Sequence, residues 1–211
     1  MAQERVIRAG RRLMRMLSYE TLTRRAVPFV QPCPAVVVLD AVQMLAVDFF
    51  RRTEAWRATF AETLFRGDRL VELAPEREAS VCRLLELTLD GLPLVDGEDF
   101  HAEQAGAGLC VAFRNPADSD RAVRARCVLA PRRLSERAPE VFLEEYGDTL
   151  LFGVLAKIKS MSGRHVGWSD PQAAQMNLSL YEQGVAQARI RLARRADGRR
   201  LTACPRNRGD L

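Results

Sequence analysis

The chain has 211 residues, 47% of them hydrophobic, with a formal net charge of +5 and a pI near 9.2. That length and apolar content allow a sizeable core, in one domain with an insert or in two small domains. No apolar run approaches the ~20 residues of a membrane span, and Arg11, Arg12 and Arg15 interrupt the place where the apolar centre of a signal peptide would sit, so a secreted or membrane-spanning protein is not expected.

The positive balance admits nucleic acid, a membrane surface or an acidic protein as partner and selects none of them. Lys157 and Lys159 are the only lysines; base composition of the genome produces such a bias, so it says little about function. Cys33, Cys82, Cys110, Cys127 and Cys204 are scattered singly, without a C-x-x-C pair, which reads as reduced thiols in an intracellular protein. His101 and His165 are the only histidines and neither lies near a cysteine pair, so no zinc site is expected.

Residues 1–20 read as a basic amphipathic helix, with Val6, Ile7, Leu13, Met14 and Leu17 on its apolar stripe. Gly10 weakens it by ~1 kcal/mol relative to alanine. Pro28, Pro32 and Pro34 form an extended connector. A helix follows over 35–57, burying Val38, Val42, Leu45, Ala46 and Phe49. Asp40 lies near its start and Arg51 and Arg52 near its end, as the helix dipole favours. From about Glu62 the apolar period changes to two. Arg69 to Leu73, Ala79 to Leu89, Leu109 to Phe113 and Val123 to Leu129 read as strands, with Arg83 at a sheet edge. Asp90-Gly91 signals a hairpin turn and Asn115-Pro116-Ala117-Asp118 a second turn.

Pro139 opens a helical hairpin. Tyr146, Leu150, Val154 and Ile158 recur every four residues, then Ala174, Leu178, Tyr181, Val185, Ala188 and Leu192 continue the apolar face after a loop. Asp170 is a good N-cap with Pro171 in the first helical position. Residues 196–211 lack periodicity and read as a flexible basic tail. The expected fold is therefore α+β: an antiparallel helical bundle with an inserted small antiparallel β-sandwich or barrel. Its expected parts are 1–34, a basic helix and Pro-rich connector; 35–61 plus 137–195, the bundle; 62–136, the β insert; and 196–211, the tail.

No catalytic, cofactor or metal constellation is legible. Gly106-Ala107-Gly108 lacks the lysine and later glycine of a phosphate loop. Glu144 and Glu145 are adjacent on a helix and do not share a face. Neither histidine has a serine or cysteine at motif spacing. Arg208-Gly209-Asp210 is a chance tripeptide in a reduced protein. Arginine-rich segments at 8–15 and 189–208 make a nucleic-acid-binding regulator the alternative reading, but aromatic interleaving for single strands is sparse.

Three passages resemble the head–tail connector, or adaptor, proteins of tailed bacteriophages. Leu39-Asp40-Ala41 through Phe49-Phe50-Arg51-Arg52-Thr53-Glu54-Ala55-Trp56-Arg57 is similar to that family's first helix and its F-[CF]-x-x-[TS]-x-x-W ending. Leu73-Ala74-Pro75 to Asp90-Gly91-Leu92-Pro93-Leu94 is similar to its β pattern. Leu150-Leu151 through Trp168-Ser169-Asp170-Pro171, then Ala174, Tyr181, Gly184, Ala188 and Arg189, is similar to its paired helices. The likeness spans about residues 35–195. In place of the usual short proline- or charge-rich sequence before the tryptophan stands Ser162-Gly163-Arg164-His165-Val166-Gly167. The resemblance implies a virion structural protein, not an enzyme. It would form a homo-oligomeric ring, commonly of twelve copies, beneath the portal protein, extend the DNA channel and dock the tail or nozzle protein. Genomic DNA would pass without sequence reading, and no membrane or cofactor would be involved. The protein would be made in the host cytoplasm and reside at the head–tail junction of the virion. Some relatives reach into the portal with their C-terminal segment, which makes Arg199, Arg200, Leu201, Arg206, Arg208 and Leu211 the expected partner-binding residues.

Overall fold

A computed structural model describes residues 15–163 and 166–201, with the backbone alone from 195 onward. The chain divides into two compact units. One holds the sheets and comprises Met1–Ser18 and Trp56–Glu144; the other holds the helices and comprises Tyr19–Ala55 and Glu145–Leu211.

In the sheet unit the strands are β1 (Met16–Ser18), β2 (Trp56–Leu64), β3 (Leu70–Leu73), β4 (Ala79–Leu89), β5 (Leu92–Pro93), β6 (Phe100–Ala105), β7 (Gly108–Phe113), β8 (Arg121–Pro131) and β9 (Arg137–Pro139). They form three antiparallel sheets: β1-β9, β2-β8-β4-β5 and β3-β7-β6. Along β8, Val123, Ala125 and Cys127 are buried while Arg124 and Arg126 face out, the alternation of a sheet with one wet face. On that face Arg126 pairs with Glu86 directly opposite, at 3.3 Å. The two larger sheets are tied together by Val81 N–H to Ala107 O at 2.8 Å, and by Gln104 Nε2 donating to Val81 O.

Asp90 and Gly91 form a two-residue hairpin loop between the paired Leu89 and Leu92, with φ of 50° and 84°. Positive φ at both positions is the requirement of the turn whose twist matches the flanking strands. The Asp90 carboxylate also accepts hydrogen bonds from Arg121 Nε at 2.7 Å and Ala122 N–H at 2.8 Å. These two donors, the guanidinium foremost, hold its pKa below the ordinary value.

The helical unit contains α1 (Glu20–Ala26), a 3₁₀ turn (Val27–Phe29), α2 (Ala35–Thr53), the larger part of α3 (Glu140–Lys159) and α4 (Pro171–Leu201). Along α2, Val38, Ala41, Val42, Ala46, Phe49, Phe50 and Thr53 are buried. Their spacing follows one helix face. Glu54 ends the helix in the left-handed conformation, its N–H bonded to Phe50 O at 3.0 Å. Phe49 meets Phe50 edge-on at 5.8 Å between ring centroids and Tyr146 at 5.1 Å. Tyr146, Leu150, Val154 and Ile158 are buried on α3, and Ala174, Tyr181, Val185 and Ala188 on α4. Each fully buried large side chain contributes roughly 1.5–3 kcal/mol relative to exposure. Asp170 Oδ1 accepts Ala173 N–H at 3.0 Å and so caps α4. That backbone donor, with Lys159 at 3.6 Å as a smaller cause, holds the Asp170 carboxyl below its ordinary range.

The expected antiparallel helical bundle with a small inserted β-sandwich or barrel is therefore not what forms. The described residues build four α-helices and three antiparallel sheets. The sheets are open, with β2 and β5 as the end strands of the larger one, so no barrel closes. Strand pairing starts at Trp56, within the stretch read as helix, because Trp56, Phe60 and Leu64 place their apolar groups on one strand face. Met16–Ser18, read as the end of a basic helix, pairs with Arg137–Pro139 instead; residues 1–14 of that expected helix lie outside the described residues. Arg83 lies, as expected, where β4 has no second strand beside it in its sheet, since β5 pairs only with Thr88 and Leu89, and it also sits at a register shift along the β4–β8 pairing. An extra residue there turns its side chain outward. Residues 196–201, expected in a flexible tail, continue α4.

Candidate functional site

The most developed cluster of polar side chains in the helical unit joins α2 to α4. Asp48 and Arg52 stand one turn apart on α2, where side chains four residues apart are neighbours. Tyr181 and Glu182 face them from α4. Arg52 grips Glu182 with both terminal nitrogens, Nη1 to Oε1 at 2.9 Å and Nη2 to Oε2. Its guanidinium carbon lies 5.7 Å from the centroid of the Tyr181 ring, within cation–π range. Tyr181 Oη donates to Asp48 Oδ2 at 2.7 Å, and Arg52 Nη1 lies 3.4 Å from the same oxygen.

This geometry dictates the protonation states. The Arg52 hydrogen bonds pull the Glu182 carboxyl below its usual range and push the Arg52 guanidinium up. Burial, and then the bond to Asp48, push the Tyr181 hydroxyl well above its ordinary value. Each of these three shifts favours the form that the group already holds near neutral pH: Glu182 ionised, Arg52 charged and Tyr181 neutral. The cluster acts as a clamp between two helices.

The clamp borders a groove of about 640 Å³. Leu45, Gly153, Ala156, Ala174 and Leu178 supply its apolar lining, and Lys157 stands on its rim. Leu178, read from the sequence as part of the buried stripe, is 49% exposed. Its position opens onto this groove. In the sheet unit a second cavity, of about 590 Å³, is lined by Arg77, Glu78, Arg132, Arg133, Leu134, Ser135 and Glu136. There Ser135 Oγ lies 2.8 Å from Glu78 Oε2 and accepts Arg137 N–H at 3.2 Å. The turn at 132–135 is thereby pinned, with Leu134 85% exposed.

A third feature is the far end of α4. Beyond Ala188 its residues 189–194 are exposed, apart from a half-buried Leu192. Arg189, Arg191 and Arg194 have no ion-pair partner among the described residues, whereas Arg24, Arg25 and Arg52 of the same unit pair with Glu20, Asp148 and Glu182. Of the expected partner-binding residues, Arg199, Arg200 and Leu201 fall on the last turn of α4, with side chains outside the described set. Arg206, Arg208 and Leu211 lie outside the described residues altogether.

Among the described residues no group of three or more His, Cys, Asp or Glu is placed to hold a metal ion. No described helix is long and apolar enough to cross a membrane. Cys33, Cys82, Cys110 and Cys127 are free thiols, and burial pushes Cys127 up to about 11. Sequence reasoning missed the clamp. Asp48 and Arg52 carried the i, i+4 signal, but their partners lie about 130 residues on, beyond the reach of local periodicity. A scan against models of known protein families returns no match, and a search of curated proteins returns none either.

Proposed function

We propose that the protein is a structural adaptor of a tailed-bacteriophage head–tail junction, assembling as a homo-oligomeric ring beneath the portal and giving the tail or nozzle protein its docking face. The observation that carries this reading is an apolar groove on the helical unit together with exposed apolar side chains elsewhere on the same unit. The groove lies at Leu45 and Leu178; the exposed side chains lie where α2 begins, with Val36 71% exposed and Phe29, seven residues before it, 60% exposed. Val36 and Leu45 lie nine residues apart on α2, about 13 Å by helical rise. A contact between unlike patches is heterologous, and repeated with the right rotation it closes into a ring. The residues that carry the family resemblance support it further, because they stand at junctions: Thr53 to Trp56 between α2 and β2, Asp90-Gly91 at a hairpin turn, and Asp170-Pro171 at the start of α4.

In this reading the protein has no catalytic task, and the clamp of Arg52, Glu182, Tyr181 and Asp48 stiffens the subunit that must bear assembly. The segment from Arg199 to Leu211, which starts on the last turn of α4, reaches the portal or a neighbouring subunit, with arginines pairing to acidic side chains, so its removal affects assembly more than folding.

The test is particle sizing and electron microscopy of the protein mixed with its portal. A ring-shaped particle is expected, weakened by Leu178→Asp or Val36→Asp. Truncation after Arg195 should leave thermal stability nearly unchanged while reducing attachment. A protein that stays small at every concentration and leaves portals bare would overturn the reading. It would favour the alternative, a basic nucleic-acid-binding regulator, if the same small species shifted short duplexes in a sequence-dependent way.

A further inference from the structure

Helix α4 runs on to Leu201, and among its described side chains the last buried one is Ala188, with 189–194 exposed apart from the half-buried Leu192. These thirteen residues, 189–201, span about 20 Å at the α-helical rise. They hold six arginines (Arg189, Arg191, Arg194, Arg195, Arg199 and Arg200) against one acid, Asp197. Their net charge is +5, equal to that of the whole chain. The other 198 residues carry 26 basic and 26 acidic side chains and are neutral as a set. Thirteen residues thus hold as much net positive charge as the whole chain, beside a second basic stretch near the start of the sequence.

The helix dipole explains only part of that placement. Cations are favoured in the last turn, and the effect fades within it. Arg189, Arg191 and Arg194 lie two to three turns before the end. Nor is the arrangement a stripe for a flat acidic protein face. At about 100° per residue, Arg191 and Arg194 lie about 60° apart, and each is turned about 140–160° from Arg189. Two arginines thus stand on one side of the helix and Arg189 on the other. A matching partner presents negative charge on both flanks of an inserted helix. The major groove of duplex DNA, about 12 Å wide between two phosphate strands, admits an α-helix and does this. Between 189 and 201 there is no Asn, Gln, Ser or Thr, so the contacts available are mainly those of arginine with phosphate, which position without specifying sequence.

We propose that the exposed stretch of α4 carrying Arg189, Arg191 and Arg194 binds duplex DNA through its phosphates, independently of base sequence. A monomer suffices for this binding. Failure of the proposal would leave the ring reading standing, and absence of a ring would leave the proposal standing.

The experiment is a fluorescence-anisotropy titration of the full chain with two labelled 20-base-pair duplexes of unrelated sequence, across a salt series. Both duplexes should bind alike, with log affinity falling linearly in log salt. Arg189→Gln/Arg191→Gln/Arg194→Gln should flatten the slope by about 2.7, that is about 0.9 for each phosphate no longer neutralised. Between 50 and 200 mM salt the intact chain should then lose roughly 40-fold more affinity than this variant. Arg66→Gln/Arg69→Gln/Arg77→Gln, exposed arginines of the sheet unit, should keep the original slope. The proposal is overturned by any of four results: no duplex binding at 50 mM salt, equal flattening in both triple variants, a tenfold preference for one duplex, or tighter binding to poly-glutamate of matched charge.

Discussion

Gly184 offers the sharpest test of how α3 and α4 meet. A Cβ built there would lie 2.4 Å from Thr149 Cγ2, 2.5 Å from Thr149 Oγ1 and 3.0 Å from Thr149 Cβ. Ordinary carbon contacts begin near 3.5 Å, so the helices must part by about 1 Å to admit it. Rotating Thr149 about χ1 exchanges its branches but cannot move its Cβ, so no rotamer clears the space. Two effects oppose each other in Gly184→Ala. Helix propensity favours alanine by ~1 kcal/mol, while overpacking costs about 1–3 kcal/mol. The single variant should therefore range from neutral to about 2 kcal/mol less stable. Thr149→Ala removes the two closest atoms. In that background Gly184→Ala should recover most of its propensity gain, giving a coupling of about 1–3 kcal/mol between the two sites. Urea denaturation of the four proteins, followed by circular dichroism, closes the cycle. If Gly184→Ala stabilises both backgrounds by the same ~1 kcal/mol, the helices yield without cost and the close approach has no energetic consequence.

Two further predictions follow from the same unit. Leu150 is 1% exposed, and Leu150→Ala should cost about 2–5 kcal/mol in the denaturation assay; a loss below 1 kcal/mol would mean that the site collapses around the smaller side chain. Asp170 should make stability depend on acid. Its folded pKa lies below the unfolded value near 3.8, so its contribution is present above that value and is lost as pH falls through the folded pKa. Asp170→Asn, which keeps the cap but not the charge, should be less stable than the parent at neutral pH and equal to it in strong acid. A gap that stays constant down to pH 2 would remove the charge from the explanation.

Much of the element pattern was legible because it is local. The period of two over Ala79 to Leu89 and the Asp90-Gly91 turn predict β4 and its hairpin, and the structure places both there. The Asp170-Pro171 start of α4 was equally readable, since a cap is decided by the residue and its next three neighbours. What failed depended on remote partners. Met16–Ser18 is a strand because Arg137–Pro139 lies beside it, and nothing within residues 1–20 announces that pairing. β6 escaped notice because His101, Glu103 and Gln104 give it little apolar alternation; its pairing with β7 places it in the sheet.

The sites divide along the same physical line. Charge is additive along a chain, so the concentration of arginine after Ala188 could be counted from the sequence. The exposure of Arg189, Arg191 and Arg194 could not, because the apolar stripe through Leu192 reads as though burial continued. The clamp was the reverse case. Asp48 and Tyr181 look like one ordinary surface acid and one core aromatic until α2 and α4 come together, when the hydroxyl finds the carboxylate at 2.7 Å. The bond to Arg52 holds Glu182 ionised, burial holds the Tyr181 hydroxyl protonated, and together these contacts tie the helix pair. The helical unit consequently has a clamped stretch at Tyr181 and Glu182 of α4 and, further along the same helix, exposed arginines at 189, 191 and 194. Long-range charge directs encounter and orientation, so the two features suit a protein that must be positioned by what it meets.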